Sequence, residues 1–453
     1  MENAVSAKTQ RRAIDEATHL TPAGIPLPVE PPGFLGHPRA FWTLAFVELW
    51  ERFGFFLMMS LLVLYMNERW HLSEAEAMRW FSYYITAVYF SPLLGGYIAE
   101  RGLSRPHWVA IGASLLSIGY FGFALAPRET MVVWFGLLVI GNGLFKPNIA
   151  TLVGSLYAPG DTRRDGAFSY FYFAVNVGGA ISPVVGGYLR MHFGWRVAFS
   201  AAGVGLILAV LTLLSFSRRY KQQMQQGATA AAEVEHATSV QSRVGALFLI
   251  SACALPFWTA IMQSGTSLAL WARDNTDRTL SLFGRPTEFA PEQFSSLGSW
   301  FILLLTVPLT AVLDRVNRGR GVHSAVKIVV GLLMAATAFG LMSMVSASSH
   351  GRTSMLWLVS YYFVFTIGEL LLSPVGLSIV SKLAPPRWVG VMIGVWLLST
   401  ASGNLLVGLL GRYWEQWPHS QYFAVIAAGL LVSALLLLSQ LRWLRRVIPS
   451  QPS

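Results

Sequence analysis

Three ionisable side chains lie near the middle of the first long apolar segment of the chain. The segment runs from Phe41 to Met66 and contains Glu48, Glu51 and Arg52. A run of this length crosses a bilayer as a helix, and each charge at its centre costs roughly 2.5–3.5 kcal/mol on insertion scales. A carboxylate beside a guanidinium can pair with it or take up a proton instead. We therefore predict a functional cluster whose chemistry is ion pairing and proton exchange.

The same residues also allow a purely structural interpretation. Arg52 lies four residues after Glu48, so the two share a helix face and can form an ion pair that only braces the helix. This pairing leaves Glu51 without a partner. Because three ionisable groups are more than a brace requires, we favour the functional interpretation.

The composition indicates the class of protein that must position these charges. The 453 residues are 54% hydrophobic and only 12% charged, which is typical of an all-α membrane protein with several spans. The net charge of +11 fits basic loops on one side of a membrane, and no Lys/Arg cluster is interleaved with aromatic residues as in a nucleic-acid site. Because the sequence has no metal-ligand spacing, phosphate loop or Ser/His/Asp set at membrane depth, we expect no enzyme activity, metal or cofactor. The single cysteine, Cys253, excludes an internal disulfide.

Apolar windows of about 20 residues predict about 12 membrane-spanning helices. They fall into two bundles of six with no extra helix pair between them. The predicted domains are a disordered cytoplasmic tail (1–36), an N-terminal bundle (37–216), a cytoplasmic linker (217–242), a C-terminal bundle (243–442) and a second cytoplasmic tail (443–453). The approximate centres of the spans are Phe53, Val88, Leu115, Gly141, Val177, Leu206, Met262, Leu304, Leu333, Glu369, Trp396 and Val432.

The distribution of Lys and Arg predicts which side of the membrane each loop faces. If the N-terminus is inside, the loops on the opposite side hold few cations, among them Arg128, Arg352 and Arg412. We therefore expect a monomer in the plasma (inner) membrane with both termini in the cytoplasm. The cations on the predicted cytoplasmic side, besides those of the linker, are Lys8, Arg11, Arg12, Arg101, Arg105, Arg163, Arg164, Arg315, Arg318, Arg320, Lys382, Arg387, Arg442, Arg445 and Arg446.

Several motifs resemble those of one group of transporters. The loop Gly95–Arg101, followed by Arg105, resembles the loop signature of the major facilitator superfamily, with Glu100 in place of the more usual Asp. Within that superfamily, the segment Glu48–Phe53 resembles the ExxERF motif of the proton-dependent oligopeptide transporter family. The resemblance covers about residues 40–440, because four further segments match in order. They are Gly141–Asn148 in the fourth span, Phe168–Gly178 in the fifth, Phe257-Trp258 through Gln263 and Gly265 in the seventh, and Gly368–Ser378 in the tenth.

The resemblance implies a fold, an activity and roles for individual residues. The fold is that of the major facilitators, in which two six-helix bundles rock about a central site, and the activity is proton symport of di- and tripeptides. Arg52 and Lys146 would face the substrate carboxylate and the proton-coupling machinery. Glu369 would bind the substrate amino group and exchange pairing with Lys146 as the cavity opens and closes. The remaining implied substrate-binding residues are Phe55, Phe56, Tyr84, Asn176, Trp258 and Ser373.

Electrostatics independently supports Lys146 and Glu369 as substrate-binding residues. A zwitterion in a low-dielectric cavity needs a cation at one end and a carboxylate at the other, because each uncompensated charge costs several kcal/mol to desolvate. Lys146 lies in the N-terminal half and Glu369 in the C-terminal half, so a substrate that bridges them couples its binding to the movement of the halves. The alternative is a static salt bridge that braces the bundles, although one pair can serve as both gate and site.

The chain also departs from the family pattern. Phe55 and Phe56 replace two tyrosines, so two hydroxyl donors are lost and the site becomes more apolar there. Met59 and Met262 occupy positions where the family often pairs an Arg with an acid, and their joint change avoids an unpaired buried charge. In the eighth span, Ser299-Trp300 replaces a family Asn-Pro. The loss of the acid puts the route of proton coupling in question.

Carboxylates remain the main candidates for carrying the proton. Burial favours the protonated form of a carboxylic acid, and Glu48, Glu51 and Glu369 are the acids at membrane depth. We hypothesise that protonation of Glu48 or Glu51 releases Arg52 and so couples proton entry to substrate binding. The histidines are predicted to lie in tails or loops, at positions such as His71, His107, His192, His323, His350 and His419.

Two functions within transport follow from the sequence. The first is a proton-coupled symporter of di- and tripeptides that works by alternating access. The second is a transporter of the same fold specialised for another solute, such as an amino acid derivative, a modified peptide or an anion, with altered proton coupling. The retained Glu369 argues against a simple anion such as nitrate, because an anion without an amino group has no use for a carboxylate pole.

Overall fold

The structure, a computed structural model, describes residues 33–125, 127–157, 161, 163–217, 240–282, 284–316, 323–383 and 389–448. The predicted N-terminal tail, except for its last four residues, and most of the predicted linker 217–242 lie outside the described residues. Residues Phe34–Gly36 form a short 3-10 turn directly before the first long helix.

Six long helices make up the first half of the chain. Short stretches of the chain separate them, and the described ones include the 3-10 turn Arg128–Thr130. The helices are α1 (Arg39–Trp70), α2 (Glu74–Ala99), α3 (Arg105–Leu125), α4 (Met131–Ser155), α5 (Arg163–Phe193) and α6 (Trp195–Ser217).

The second half contains a further series of helices and a few short strands. Its first span is broken, because α7 (Val240–Ile261), a 3-10 turn (Met262–Gly265) and α8 (Ser267–Asp274) follow one another directly. The other elements are β1 (Thr276–Asp277), β2 (Thr279–Leu282), β3 (Arg285–Glu288), a 3-10 turn (Pro291–Ser295), α9 (Ser296–Val316), α10 (Ser324–Ser348), β4 (Thr353–Ser354), α11 (Leu356–Leu383), α12 (Val389–Gly411), α13 (His419–Ser439) and α14 (Leu441–Val447).

The strands distinguish the two ends of the molecule. β2 and β3 form an antiparallel hairpin, and β1 pairs in parallel with β4. Since α8 ends and α9 begins beside these strands, we call this the hairpin end. The opposite end, where α1 begins and α13 finishes, is called the terminal end.

Ten helical segments of the described residues are long and apolar enough to cross a membrane. Helices α1 and α2 are not among the ten, although at 32 and 26 residues both have the length required. In α1 the charges of Glu48, Glu51 and Arg52 break up the apolar run. Both helices pack among the apolar helices, so with α1 and α2 included the number of spans agrees with the predicted number of about 12.

The helices pack as two groups. In the first, α1 packs on α5 and α6, while α4 packs on α2 and α3. In the second, α10 packs on α11 and α13, and α7 packs on α12 and α13. Between the groups, α2 packs on α12 and α5 packs on α9. The two bundles predicted from the sequence are therefore present, and they meet along two pairs of helices.

The chain continues as a helix beyond the last span. α14 overlaps the segment 443–453 that the sequence analysis assigns to a tail. Leu444 and Val447 on this helix are buried, and α14 packs on α7 and α10. The first part of this segment therefore belongs to the C-terminal bundle, because Leu444 and Val447 are three residues apart and share one face of the helix.

We expect Gly95→Ala to destabilise the protein. An added Cβ at Gly95 on α2 would clash with the backbone carbonyl of Gly143 on α4, which cannot rotate away as a side chain can. Overpacking of this kind typically costs about 1–3 kcal/mol. Thermal unfolding in detergent should show a lower Tm. The matched control is Gly136→Ala on α4, where an added Cβ meets nothing within 4 Å. Equal Tm values for the two variants would contradict this packing.

Candidate functional site

Arg52 is held by two carboxylates of its own helix. Its Nε and Nη2 donate to Oε2 and Oε1 of Glu51, each at 2.6 Å, and its Nε lies 3.5 Å from Oε1 of Glu48. The main partner is therefore Glu51, and the simple brace from Arg52 to Glu48 is the weaker contact. The residue is only 8% exposed, so its guanidinium is not free to meet a solute in this conformation.

Lys146 of α4 completes the cluster. Its Nζ donates to Oε1 of Glu48, which is fully buried on α1. The lysine side chain remains 33% exposed, and the second oxygen of Glu48 has no hydrogen-bond partner among the described residues. Two acids and two bases thus form a neutral chain, Glu51–Arg52–Glu48–Lys146, and its last member reaches water.

The sequence motifs of α4 and α5 bring these helices close to the charges. On α4, the Asn142 amide donates to the Val88 carbonyl of α2 at 2.9 Å, which fixes α4 one turn before Lys146. On α5, an added Cβ at Gly178 would lie 3.0 Å from Cβ of Arg52. A glycine there lets the backbone of α5 pack directly on the charged turn of α1. These motif residues therefore act by packing and position the charges.

The two phenylalanines that follow Arg52 have different surroundings. Phe55 is buried, and the Arg52 guanidinium lies over its ring, 4.4 Å from the centroid. Such a cation–π contact supports an arginine that is withdrawn from water. Phe56 is the only residue of α1 between Glu51 and Met66 that is not buried. It is therefore the part of this helix that faces the space between the bundles.

Glu369 lies half-buried on α11 of the opposite bundle. Among the described residues it forms no ion pair, and it interacts electrostatically with the hydroxyls of Tyr89 and Tyr172 from the first bundle. The expected pair between Lys146 and Glu369 is not formed, because Lys146 binds Glu48. The two poles predicted from the sequence thus lie on opposite bundles and are not paired with each other.

Two polar groups of the second bundle also lack hydrogen-bond partners among the described residues. Ser373 lies four residues after Glu369 on the same helix face, and its Oγ has no hydrogen bond among the described residues. Trp258 of α7 is half-buried, its ring packs edge to face on Trp396 at 5.7 Å, and its Nε1 likewise has no described acceptor. Buried donors of this kind normally bind something, so these two groups are available to a solute.

Two predicted site residues are buried within the first bundle. Asn176 donates from Nδ2 to the Tyr172 carbonyl at 2.9 Å and is 4% exposed. Tyr84 is also buried, and its ring stacks on Phe135 at 4.8 Å. Neither side chain faces the other bundle in this conformation, so their proposed contact with substrate is untested.

The sequence analysis did not identify Tyr89. This residue is half-buried, its ring lies 6.4 Å from Phe55, and its hydroxyl interacts electrostatically with both Arg52 and Glu369. Its position three residues before Pro92 is a signal in the sequence, because prolines in spans accompany bends where a helix lines a cavity. Tyr89 therefore fits the role assigned to Tyr84.

The positions that lost a charge pair are closed by packing. Met59 and Met262 are both buried, and Gly265 of the 3-10 turn lies directly against the Met59 backbone carbonyl. In the eighth span, Ser299 faces α5, since its Oγ would be too close to a Cβ added at Gly179. The apolar substitutions thus let the two bundles approach closely at their centre.

The bundles are joined in one half of the molecule. The hydrogen bonds and ion pairs that the structure describes between them all lie in the hairpin-end halves of the helices, for example Ser82 Oγ to the Asn404 carbonyl at 2.9 Å. Tyr172, towards the terminal end of α5, is 48% exposed. The space that contains Lys146 and Glu369 therefore opens towards the terminal end.

Histidines of the described residues lie at helix ends or outside helices. His37, directly before α1, is within 2.8 Å of the Tyr157 hydroxyl, and burial together with Arg163 lowers its pKa. Burial also lowers the pKa of His323, before α10. Neither is a proton carrier at the charged cluster, which leaves the carboxylates. The others are His71, His107, His192, His350 and His419, of which three lie in the terminal turns of helices.

Comparison with known proteins identifies close similarity over most of the chain. The family model described as Major Facilitator Superfamily matches residues 44–408. Peptide transporter YePEPT of Yersinia enterocolitica is 30% identical, and the alignment covers 84% of this chain and 88% of that protein. Dipeptide and tripeptide permease A of Escherichia coli is 28% identical, with 82% and 83% covered.

Solved structures also resemble this chain over most of its length. A POT family transporter in complex with 5-aminolevulinic acid has 27% identity and a TM-score of 0.82, covering 91% of this chain and 98% of that one. A peptide transporter POT in complex with sulfate has 28% identity and a TM-score of 0.82, covering 92% and 97%. These matches confirm the predicted fold class, an all-α membrane protein with the major facilitator fold.

Proposed function

Because the chain belongs to the Major Facilitator Superfamily and, within it, to the proton-dependent oligopeptide transporters, we propose that it is a proton-coupled symporter of di- and tripeptides. The observation that carries this proposal is the pair of opposed poles, Lys146 on one bundle and Glu369 on the other. The relatives that are called peptide transporters and permeases support the same substrate class.

Substrate binding follows from the separated poles. The peptide carboxylate binds Lys146, whose exposed ammonium leaves Glu48 for the new partner, and the peptide amino group binds Glu369. Tyr89, Trp258 and Ser373 supply hydrogen bonds between the poles. Because the poles belong to different bundles, a bound peptide draws the bundles together and closes the open end.

Proton coupling uses the carboxylates of α1. When the substrate occupies Lys146, the buried Glu48 keeps only its 3.5 Å contact with Arg52, and loss of a cationic partner favours the protonated form of a buried carboxylate. Glu51 holds Arg52, and protonation of either acid loosens the cluster. Proton and peptide therefore enter the same conformational cycle, which is the requirement for symport.

The protein is a multi-pass membrane protein, and we propose its orientation. The excess of cations on the loops of the terminal end supports an orientation with that end in the cytoplasm of a bacterial-type inner membrane. The conformation with its opening at the terminal end is then inward-open. We further propose that the monomer is the transporting unit, with bundles at 37–216 and 243–442, because both poles belong to one chain.

Uptake into proteoliposomes tests the function. An inward proton gradient should drive accumulation of a labelled dipeptide, and unlabelled di- and tripeptides should compete, whereas nitrate should not. The contrary result is gradient-independent uptake or competition by none of the peptides. If amino acid derivatives or modified peptides compete and plain dipeptides do not, the second function holds instead. Phe56 favours that outcome, because it replaces a hydroxyl donor with an apolar ring beside the charged cluster.

A further inference from the structure

An ion-pair network joins the bundles at the hairpin end, far from the poles. Arg273, at the end of α8, donates from Nη2 to Oε1 of Glu74, the first residue of α2. Its Nη1 donates to Asn67 Oδ1 of α1 at 2.6 Å, and its Nε and Nη2 donate to the adjacent Asp274 at 2.8 Å. One guanidinium of the second bundle thus binds two helices of the first.

Glu74 receives a second contact from the other bundle. Nε1 of Trp414, just after α12, donates to Glu74 Oε2 at 2.8 Å, and the indole is 1% exposed. Glu415 accepts the backbone N–H of Glu74 at 2.7 Å and that of Ala75 at 3.4 Å. The free N–H groups at the start of α2 are therefore satisfied by a carboxylate of the opposite bundle. We call Asn67, Glu74, Arg273, Trp414 and Glu415 the clasp.

A second charged contact also joins the two bundles at the hairpin end. Arg190, near the end of α5, donates from Nε to Oε1 of the buried Glu292 at 2.6 Å and lies 3.6 Å from Glu68 of α1. Glu292 belongs to the 3-10 turn that precedes α9. Charged contacts between the bundles are thus concentrated at the hairpin end, on both helix pairs that join them.

The position of these charges has a physical reason. The centre of the interface, at Met59 and Met262, carries no charge that must separate when the hairpin end opens. At the clasp, separation exposes Glu74 and Arg273 to the aqueous mouth, where both are rehydrated. Their side chains are 22% and 19% exposed in the closed state, so the pair already lies beside water, and separation restores the hydration that both groups lack while paired. A hairpin end that is closed by these ion pairs is therefore stable and can still open.

We propose that the clasp is the gate that sets the balance between the closed and open states of the hairpin end, with Glu74 as its central residue. The inference rests on the proposed alternating-access function and adds the residues that govern one of its two openings. Glu74 acts as a positioning residue, because it touches neither substrate pole. Opening requires that its bonds to Arg273 and Trp414 break together, so the gate moves in a single step.

Spin-label distances measure this balance without any substrate. Cys253, the single cysteine, is replaced by Ala, and labels are placed at Glu129→Cys and Arg352→Cys, exposed positions of opposite bundles at the hairpin end. The unmodified clasp should give mainly the short distance. Glu74→Ala should raise the ratio of long to short distances by about tenfold, the equivalent of about 1.4 kcal/mol.

Two further variants make the test specific. Arg273→Ala should shift the ratio of long to short distances in the same direction. The gate can therefore still be tested if Glu74→Ala folds poorly. Glu76→Ala is the matched control, since Glu76 lies in the same first turn of α2 but pairs with Arg128 of its own bundle at 3.4 Å. The control should keep the distribution of the unmodified clasp.

The outcomes separate the gate from the transport function. Unchanged distances in both Glu74→Ala and Arg273→Ala, or an equal shift in Glu76→Ala, would overturn the clasp as a gate. If the expected shift occurs while no peptide is transported by the parent protein, the proposed substrate is wrong and the gate stands.

Discussion

Lys146→Ala should reduce proton-driven dipeptide uptake to the background of empty liposomes. Lys146 is the one member of the charged chain that reaches water, and it neutralises the fully buried Glu48. Its removal takes away the cationic pole and leaves the buried cluster of two acids and Arg52 with one uncompensated negative charge, a change that costs about 3–5 kcal/mol. Initial rates of labelled dipeptide uptake under an inward proton gradient measure the loss.

A double variant distinguishes substrate binding from simple charge balance. If Lys146 only neutralises Glu48, Lys146→Ala combined with Glu48→Gln should recover uptake, because no unpaired charge remains. If Lys146 also binds the peptide carboxylate, the double variant should stay inactive. Lys327→Ala, at the terminal end of α10, is the control and should transport normally. Full uptake by Lys146→Ala alone would remove this residue from the mechanism.

Glu51→Gln should uncouple peptide transport from the proton gradient. Glu51 holds Arg52 through two hydrogen bonds of 2.6 Å, and the amide keeps the shape but neither the charge nor the ability to take up a proton. Gradient-driven uptake should fall by at least about tenfold, since a charge-assisted hydrogen bond contributes about 1.5–3 kcal/mol. Counterflow, in which labelled peptide exchanges for unlabelled peptide without a gradient, should persist.

The comparison of the two assays is what tests the coupling role. A structural defect would lower driven uptake and counterflow together, whereas a coupling defect lowers only the first. Glu76→Gln, an acid of α2 outside the charged cluster, should leave both unchanged. Equal gradient-driven uptake by Glu51→Gln and the parent protein would assign the proton to Glu48 or Glu369 instead.

The ion pairs of the charged cluster differ from those that residue spacing alone predicts. The spacing of Glu48 and Arg52 favours an ion pair one helical turn apart, yet Arg52 binds mainly the adjacent Glu51. The reason is Lys146, which arrives from α4 and takes Glu48 as its partner. Helix periodicity shows which groups share a face, but the competition among their partners depends on side chains from other helices.

Tyr84 and Tyr89 illustrate the same difference. Both lie on α2 at a depth compatible with the site, and the sequence analysis selected the first. Packing against Phe135 withdraws Tyr84 into its bundle, while the hydroxyl of Tyr89 interacts with Arg52 and Glu369. The rotation of a helix about its own axis is set by its neighbours.

The sequence by itself determined the spans, the division into two bundles, the family and the depth of each charged residue, because apolar length and buried charge are properties of short segments. Tertiary structure alone decided the partners: Lys146 with Glu48, the separation of Lys146 from Glu369, and the clasp. Asn67 and Glu74 are distant in sequence from Arg273 and Trp414, and none of the four breaks a local pattern. Their meeting depends on how two bundles dock at one end, which no segment encodes alone.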